Sequence, residues 1–533
     1  MTGCAGLPYG MRYLAPILTL GTVAAAPSPA SSQRQPPPTR LVVFIAVDQL
    51  RPDYFTRYED QLTGGLRRFY AEGAFFARGE QDHAITETAP GHATMLSGRS
   101  PASVGVVTNE LGVSDSLAPL LLVAGPGASP RRFRGTTLFD WMAAADPATR
   151  VLSVSRKDRG AILPIGRAKV PVYWYAGGVF TTSTYYGDRL PQWLLAWNFR
   201  RGPQNLAGRV WNLLLPADRY AEPDSQPWER GGRAFRFPYP FSPDSQQAAL
   251  QAAGTPYLDS LTLDLALEGV HRLGLGSRNG TDLLAVSLSA TDAVGHAWGP
   301  NSREIHDQVL RLDRWLGWFQ DSLARVLPAD RILYALTSDH GVTPLPGYLL
   351  SQGRMAGRVV GDTVPARADA NLAARHRRRF GLEFNTGLIF GDTTSLHRAG
   401  VDVDSLARSL ASQLARYTGV TRTYTPATLA AAPENDVDAG RWKRTIPSDF
   451  AWLAAASLAP GYTWAYPGFE AAMHGATTGD DVLVPIAFLG RGIAAGQHTR
   501  ARTVDIAPTL AALLGITPGE AVEGRVLREV VRK

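Results

Sequence analysis

Acidic and histidine residues recur in this chain next to apolar, strand-like runs of sequence. The pairs of residue and run are Asp48 after 41–47, Asp292 and His296 after 283–288, Asp339 and His340 after 332–336, and His474 before 482–488. An α/β sheet gathers such residues where its parallel strands end. Carboxylates and neutral imidazoles are zinc ligands, so three Asp and three His in one place predict a site for two zinc ions.

The spacing inside these groups fits metal binding. Asp292 and His296 are four residues apart and would face the same side of a helix. Asp339 and His340 are neighbours, which on a loop can reach two metals or hold one from two sides. A capping or surface role for these residues is the less favoured alternative, because every group adjoins a strand-like run. The remaining histidines that we considered lack this context and are interpreted as structural: His83, His271, His306, His376, His397 and His498.

Thr88 is the candidate nucleophile. It opens the segment 88–96, which is typical of a turn that leads into a helix, with Pro90 near the first turn. A hydroxyl attacks poorly until a metal or a base lowers its pKa, and helix N-terminal amides bind phosphate oxygens. Thr88 also suits a helix cap, and the two roles are compatible.

Composition limits the classes of protein to consider. The chain has 533 residues, of which 45% are hydrophobic and 19% are charged, which is typical of a globular protein and argues against disorder. The net charge of +7 comes from arginines spread along the sequence. This pattern predicts a basic surface that mildly favours anionic substrates, without a dedicated nucleic-acid partner.

The N-terminus has the pattern of an export signal. We predict a signal peptide at 1–32 and a polar, proline-rich linker at 33–40. The single cysteine, Cys4, falls in the signal, which excludes cysteine nucleophiles and cysteine zinc ligands from the mature chain. The signal implies export, so we expect a periplasmic or secreted protein. No later run predicts a transmembrane helix.

The rest of the chain, 41–533, predicts one α/β catalytic domain. Helical periodicity favours helices that begin at Tyr257, extend over 304–326, and end at Gly515. Two stretches with poor periodicity, at about 162–255 and 343–470, are interpreted as insertions that form a cap and lie outside the core sheet. Aromatic residues of the first insertion are expected mostly in a core: Trp174, Tyr175, Tyr185, Tyr186, Trp193 and Trp197.

The chain resembles the alkaline phosphatase superfamily. The likeness is to the branch shared by type I phosphodiesterase/nucleotide pyrophosphatases and periplasmic PafA-type alkaline phosphatases with a threonine nucleophile. The motifs that carry it lie at 46–51, 88–93, 157–161, 183–186, 289–296, 338–341 and 474–475. Their order is specific, and together they span nearly the whole mature chain. The resemblance implies an α/β/α sandwich with a large mixed central sheet.

The resemblance also implies a role for each site residue. One zinc would be held by Asp292, His296 and His474, and the other by Asp48, Asp339, His340 and deprotonated Thr88. Asn109 matches an asparagine that binds a phosphoryl oxygen. The implied activity is phosphate monoester hydrolysis through a phospho-threonine intermediate, with small phosphate monoesters as substrates.

Lys157 and Arg159 distinguish the subclasses. They match the Lys-x-Arg pair of the monoesterase branch, which the diesterase branch lacks. A monoester dianion has a third non-bridging oxygen for such cationic donors to bind. A phosphodiesterase or nucleotide pyrophosphatase on the same two metals is the near alternative, and a non-catalytic phosphate-binding relative is a further one. A sulfatase is disfavoured, because Thr88 does not match the formylglycine precursor motif.

Overall fold

The computed structural model describes residue 1 and residues 38–229, 236–465 and 471–532. Residues 38–533 cluster as one unit. The predicted signal peptide at 1–32, and the linker at 33–40 up to residue 37, lie outside the described residues. These assignments stay predictions, as do the boundaries of the two insertions.

Strands occur along the whole described chain. In chain order they are β1 (Leu41–Val47), β2 (Ala74–Glu80), β3 (Val151–Ser155), β4 (Val172–Ala176), β5 (Val179–Thr181), β6 (Val210–Trp211), β7 (Tyr239–Pro240), β8 (Asp282–Leu288), β9 (Ile332–Thr337), β10 (Gly357–Val359), β11 (Glu383–Asn385), β12 (Leu388–Phe390), β13 (Val420–Tyr424), β14 (Trp452–Leu458), β15 (Tyr462–Trp464), β16 (Leu483–Gly490) and β17 (Gly496–Arg502). All four strand-like runs beside the predicted ligands are strands, namely β1, β8, β9 and β16.

Helices separate most of these strands. They are α1 (Tyr54–Arg57), α2 (Gly65–Glu72), α3 (Thr88–Met95), α4 (Pro101–Val104), α5 (Leu138–Ala145), α6 (Asp158–Ile162), α7 (Gln192–Arg201), α8 (Ser245–Gln251), α9 (Tyr257–Leu273), α10 (Ala290–Trp298), α11 (Arg303–Val326), α12 (Pro346–Ser351), α13 (Thr363–His376), α14 (Thr393–Arg398), α15 (Val403–Leu414), α16 (Pro426–Ala430), α17 (Val437–Thr445), α18 (Gly479–Val482) and α19 (Ile506–Leu514). The predicted helices are confirmed as α9, α11 and α19, and Gly515 ends α19 with a left-handed φ of 70°. None of the helices in the described ranges is long and apolar enough to cross a membrane.

Nine strands form a mixed central sheet in the order β17-β2-β16-β9-β1-β8-β3-β4-β5. β1 lies parallel to β8 and β9, and β3 lies parallel to β8. β16 is antiparallel to both β9 and β2, so β2 runs in the same direction as β9. The carboxyl ends of β1, β2, β3, β8 and β9 therefore meet at one edge, which we call the carboxyl edge. The loop that precedes β16 reaches the same edge.

Alternate residues of β1 pack into two apolar cores, one on each face of the sheet. Val43 and Ile45 pack with residues of α9 and α11, whereas Val42 and Phe44 pack with residues of α5 and α19. All of β1 is buried, which explains why a parallel strand covered on both faces has a continuous apolar sequence. Helices on both faces of one large mixed sheet confirm the predicted α/β/α sandwich.

The expectation that residues 162–255 lie outside the core sheet is wrong for residues 172–181. β4 and β5 form one end of the central sheet, with Ser153 of β3 opposite Val172 of β4. Gly177 and Gly178, both at positive φ, make the tight hairpin between them. β4 and β5 together have only eight residues, too few for their alternation of apolar and polar positions to stand out in the sequence. Of the aromatic residues that were expected in a core, Trp174 and Trp197 are buried, each 2% exposed.

The stretch 343–470 is also more regular than its sequence indicates. It contains an antiparallel sheet in the order β11-β12-β14-β13, which packs with α13 and α15 around its own apolar core. β11 and β12 have three residues each, and β14 is rich in alanine. Such short or alanine-rich strands give little period-two signal.

Candidate active site

Three carboxylates lie together at the carboxyl edge. Asp48 directly follows β1, Asp292 lies in the first turn of α10, and Asp339 follows β9. Each is at most 3% exposed. Asp48 Oδ1 accepts a hydrogen bond from Ser287 Oγ at 3.1 Å, and Asp339 Oδ1 accepts one from the backbone N of Gln49 at 3.1 Å. The hydrogen bonds fix the orientation of both side chains.

His296, His340 and His474 share one hydrogen-bonding arrangement. In each ring Nδ1 donates to a backbone carbonyl, which can only accept, so in the neutral ring Nε2 carries the lone pair. The acceptors are the carbonyl oxygens of Ala472 at 2.5 Å, Gly341 at 2.9 Å and Thr86 at 2.7 Å, respectively. This tautomer, held by a partner on the second nitrogen, is the one that metal-binding histidines use.

The structure brings Asp292, His296 and His474 into one group. Their ligand atoms all lie within 4.8 Å of one another. His296 Nε2 is 3.1 Å from Asp292 Oδ1, and His474 Nε2 is 3.7 Å from the same oxygen. The four-residue spacing therefore places Asp292 and His296 on the same side of α10, as the sequence predicts.

A second group forms around Asp339. His340 Nε2 lies 3.3 Å from Asp339 Oδ2, and neither atom has a hydrogen-bond partner among the described residues. The ring of His340 stacks on that of His474 with centroids 3.5 Å apart, so the two groups adjoin. All six predicted ligands thus belong to one buried cluster.

His92 also lies in this cluster, although the sequence did not predict it as a ligand. Its ligand atom is within 4.8 Å of those of Asp48 and Asp339. However, its Nδ1 lies 2.9 Å from the carbonyl O of Thr88 and its Nε2 lies 3.0 Å from Ser287 Oγ. Both nitrogens are engaged, which makes His340 the better candidate ligand and His92 a residue that positions Thr88. The four-residue spacing of Thr88 and His92 on one helix was the available signal.

Lys157 joins the two groups to Thr88. Its Nζ lies 3.1 Å from Thr88 Oγ1, 2.7 Å from Asp292 Oδ2 and 2.9 Å from Asp48 Oδ2. Burial alone would raise the pKa of Asp292, but the ammonium of Lys157, with His296, holds that pKa well below its usual value. Lys157 precedes α6 directly at the end of β3, so the sheet itself delivers it to the site.

Thr88 is the first residue of α3, and Glu87 occupies the N-cap position. The helix packs closely against the end of β9, because a Cβ at Gly91 would lie 2.3 Å from the carbonyl O of Asp339. Only glycine permits this approach, which sets Thr88 beside the acidic cluster. Within the first turn of α3, the backbone N of Gly91 donates to the carbonyl O of Glu87 at 3.0 Å.

Asn109 lies next to Thr88 on a loop that Glu87 holds. Asn109 Oδ1 accepts from the backbone N of Ala89 at 2.9 Å, which leaves its Nδ2 to donate elsewhere. Glu87 is 5% exposed, and its Oε2 accepts from the backbone N of Asn109 at 2.8 Å. Burial, reinforced by the nearby charge of Glu110, raises the pKa of Glu87 to about 7. The sequence analysis missed this positioning residue.

Arg159 has no hydrogen bond or ion pair to the ligand cluster among the described residues. Its Nη1 lies 3.4 Å from Asp158 Oδ1, and its Nε is buried without a hydrogen-bond partner among the described residues. Its positive charge opposes the rise in the pKa of Glu87 that burial causes.

Gln49, which the sequence did not single out, ties the two groups together. Its backbone has a left-handed φ of 65°, an uncommon conformation for a residue other than glycine. In this conformation its backbone N donates to Asp339 and its Nε2 donates to Asp292 Oδ1 at 3.0 Å. The local strain is consistent with a functional constraint.

More distant carboxylates fix the elements that carry the ligands. Asp259 Oδ1 accepts from the backbone N of Ala290 at 2.9 Å and so holds the start of α10. Asp481 accepts from Thr343 Oγ1 at 2.8 Å and from the backbone N of Ala476 at 2.9 Å. The second set of bonds anchors the loop of His474 to the chain after His340.

The electrostatics of the cluster suit divalent cations. Burial, reinforced by the negative charge of Asp48, raises the pKa of Asp339 to about 7. Burial also lowers the pKa of His340 to about 4, so its imidazole is neutral at neutral pH, as a ligand must be. Three buried carboxylates face a single ammonium, and the donor set of carboxylate oxygens and imidazole nitrogens fits zinc.

Comparison with known families shows which family the chain belongs to. The type I phosphodiesterase / nucleotide pyrophosphatase family model matches residues 42–375, more than half of its length. The chain belongs to this family. The matched range includes Asp48, Thr88 and Asp339 but ends before His474.

Characterised relatives match along nearly the whole chain. Alkaline phosphatase PhoV of Synechococcus elongatus is 31% identical, over 92% of this chain and 93% of its own. Alkaline phosphatase PhoK of a Sphingomonas species is 32% identical, over 93% of this chain and 92% of its own. The prediction of an enzyme of the alkaline phosphatase type is confirmed by these relatives.

Solved structures agree. The crystal structure of wild-type alkaline phosphatase PafA superposes with a TM-score of 0.85 at 27% identity, covering 93% of this chain and 99% of PafA. Murine ectonucleotide pyrophosphatase/phosphodiesterase 5 superposes with a TM-score of 0.52 at 13% identity, over 92% of this chain and 99% of its own, a likeness of fold alone. The predicted relationship to PafA-type enzymes is confirmed.

Proposed function

We propose that the chain is a zinc-dependent phosphate monoester hydrolase that uses Thr88 as its nucleophile. The observation that carries the proposal is the position of Lys157, whose Nζ lies 3.1 Å from Thr88 Oγ1 and contacts a carboxylate of each ligand group. A cationic donor beside the nucleophile suits the third non-bridging oxygen of a monoester dianion. Relatives named alkaline phosphatase support the same substrate class.

The cofactor of the proposal is a pair of zinc ions per chain. One would be held by Asp292, His296 and His474, and the other by Asp48, Asp339, His340 and Thr88. When bound, zinc lowers the pKa of a coordinated hydroxyl and stabilises a leaving oxygen. The orphaned Nε2 of His340 and Oδ2 of Asp339 support this assignment.

The residues of the chain perform the transfer. Thr88 Oγ1, once deprotonated, attacks phosphorus and a bond forms between them. The bond from phosphorus to the leaving oxygen breaks, and the leaving oxygen takes a proton from water. Asn109 Nδ2 holds one non-bridging oxygen, and Lys157 binds the third oxygen that only a monoester presents. Water then attacks the phospho-threonine, which releases inorganic phosphate and restores the Thr88 hydroxyl.

Phosphodiester hydrolysis is the second candidate, because the matching family model is that of type I phosphodiesterases. The test is to measure kcat/KM of the zinc-loaded enzyme on an aryl phosphate monoester and on the matched diester. We expect the monoester to be preferred by at least about tenfold, the value of one charge-assisted hydrogen bond. Preference for the diester would move the second candidate ahead, and turnover of neither would indicate a non-catalytic phosphate-binding relative.

We also propose that the enzyme is exported to the periplasm or secreted, with small phosphate monoesters as its substrates. The basis is the sequence pattern of residues 1–32. N-terminal sequencing of exported protein should find a start between Ala26 and Ser32. Mature protein that retains residues 13–22 would show that this segment is an anchor.

A further inference from the structure

A cavity of about 340 Å³ lies beside the loop that carries Asn109. Val107 and Leu111, each two residues from Asn109, contribute to its wall. None of the predicted zinc ligands lines it. The cavity is therefore distinct from the metal cluster but shares a loop with it.

Arginines dominate the polar part of this wall. Arg131, Arg132, Arg134 and Arg167 line the cavity together with one carboxylate, Asp449. Its volume lies within the range of small-molecule sites, which begins at about 300 Å³. We call this site the arginine cavity.

Ion pairs neutralise only part of this charge. Arg134 binds Asp449 through both nitrogens, at 3.0 Å and 2.8 Å. Arg131 has a long contact of 3.5 Å to Asp115, whose other oxygen already accepts from Ser129. Four guanidinium groups against two carboxylates leave two positive charges without a carboxylate among the described residues.

The electrostatic environment of Arg132 is unfavourable for its positive charge. Its Nη1 donates to the backbone carbonyl of Ser114 at 2.8 Å. Burial, and then the like charge of Arg131, lower the pKa of its guanidinium. A partly desolvated cation held beside a second cation is unfavourable unless an anion offsets it.

The backbone holds the arginines close together. Gly105 has a φ of 77°, and a Cβ there would lie 2.8 Å from Arg134 Nε and 3.0 Å from the carbonyl O of Arg132. A larger residue would push the arginine loop away. Gly105 thus permits the close approach of the loop that carries Arg132 and Arg134.

We propose that the arginine cavity is a second anion site that binds a small molecule carrying two or more phosphate groups. Guanidinium forks bind phosphate oxygens in pairs, and two uncompensated positive charges match a multivalent anion. Two sources share this chemistry. The anion is either a separate ligand, or the distal phosphate of a substrate whose first phosphate lies at Thr88.

The test is calorimetric titration of the zinc-loaded Thr88→Ala protein with fructose 1,6-bisphosphate, which that variant should not turn over. The test pair is Arg131→Ala/Arg132→Ala in the same background. The matched control is Arg200→Ala/Arg272→Ala, which removes two arginines from another cavity, of about 420 Å³. Arg167→Glu, at an exposed position, provides a second variant that does not rely on the buried part of the wall.

We expect the dissociation constant to rise at least about tenfold in Arg131→Ala/Arg132→Ala and in Arg167→Glu, and to stay unchanged in the control. If the ligand is separate, a second equivalent of bound probe disappears in these variants. If it is the distal phosphate of a substrate, the number bound per chain stays the same and only the affinity falls. With Thr88 intact, the variants should hydrolyse an aryl monophosphate at the parental rate. Unchanged binding in both variants, or equal weakening in the control, would overturn the proposal.

Discussion

Replacing Lys157 by alanine should reduce phosphate monoester hydrolysis much more than diester hydrolysis. The ammonium lies 3.1 Å from the proposed nucleophile and bridges Asp48 and Asp292. Its side chain is 9% exposed, so solvent screens these contacts little. A monoester presents the third oxygen that this donor can bind, whereas a diester presents an alkoxy group there and gains nothing from it.

The magnitude follows from the kind of contact that is lost. A hydrogen bond from a charged donor contributes about 1.5–3 kcal/mol, which corresponds to a loss of about ten- to 150-fold in monoester kcat/KM. Arg159→Ala should cost less, because Arg159 does not contact Thr88 and its side chain is 27% exposed. The double variant should lose the most on the monoester while diester hydrolysis stays nearly unchanged.

The assay compares a matched aryl monoester and diester for the parent, Lys157→Ala, Arg159→Ala and the double variant, all with measured zinc content. Lys443→Ala is the matched control, since Lys443 is exposed and donates only to the carbonyl of Ala432 at 3.1 Å. A similar loss on both substrates, with zinc retained, would refute the reasoning. Lys157 would then only support the fold or the nucleophile.

Three further perturbations test other parts of the structure. His340→Ala should lose about one zinc per chain by elemental analysis, whereas His92→Ala should retain both ions and lose turnover, because both nitrogens of His92 are already engaged. Glu87→Ala should lower monoester kcat/KM in the parent but have little effect in an Asn109→Ala background, since Glu87 acts by holding the backbone of Asn109. Burial, reinforced by Glu229, raises the pKa of Glu304 from 4.5 to about 8. Its contribution to stability is therefore present below pH 4.5 and lost as pH rises through 8, so Glu304→Gln should unfold at a higher temperature than the parent at pH 9 but not at pH 4.

The carboxyl edge was predictable because its signals are local. Each ligand adjoins an apolar run long enough to identify a strand, and the rule that chemistry collects at strand ends does not require the strand order. Thr88 was found in the same way, from a proline near the start of a helix. The geometry of α/β sheets alone predicts that these residues share one site. Their division between two metals came from the family resemblance.

Other features depend on contacts that no local pattern encodes. Gln49 matters because its backbone adopts a left-handed φ and its two nitrogens reach Asp339 and Asp292, which are more than 240 residues away. The choice between His92 and His340 depends on which ring nitrogens are already bonded. The strands β4 and β5 were missed because eight residues within a long aromatic segment give too short a period-two pattern, and tertiary pairing with β3 decides their structure.

The central claim is that phosphate passes through Thr88. The most direct measurement is to mix the zinc-loaded enzyme with an aryl phosphate monoester, stop the reaction in acid within the first turnover, and locate phosphate by peptide mass spectrometry. The account predicts phosphate on Thr88 in the parent and none in Thr88→Ala, whose turnover should fall by several orders of magnitude, while Thr88→Ser retains much more. Phosphate on a different residue, or a Thr88→Ala variant within about tenfold of the parent, would contradict it.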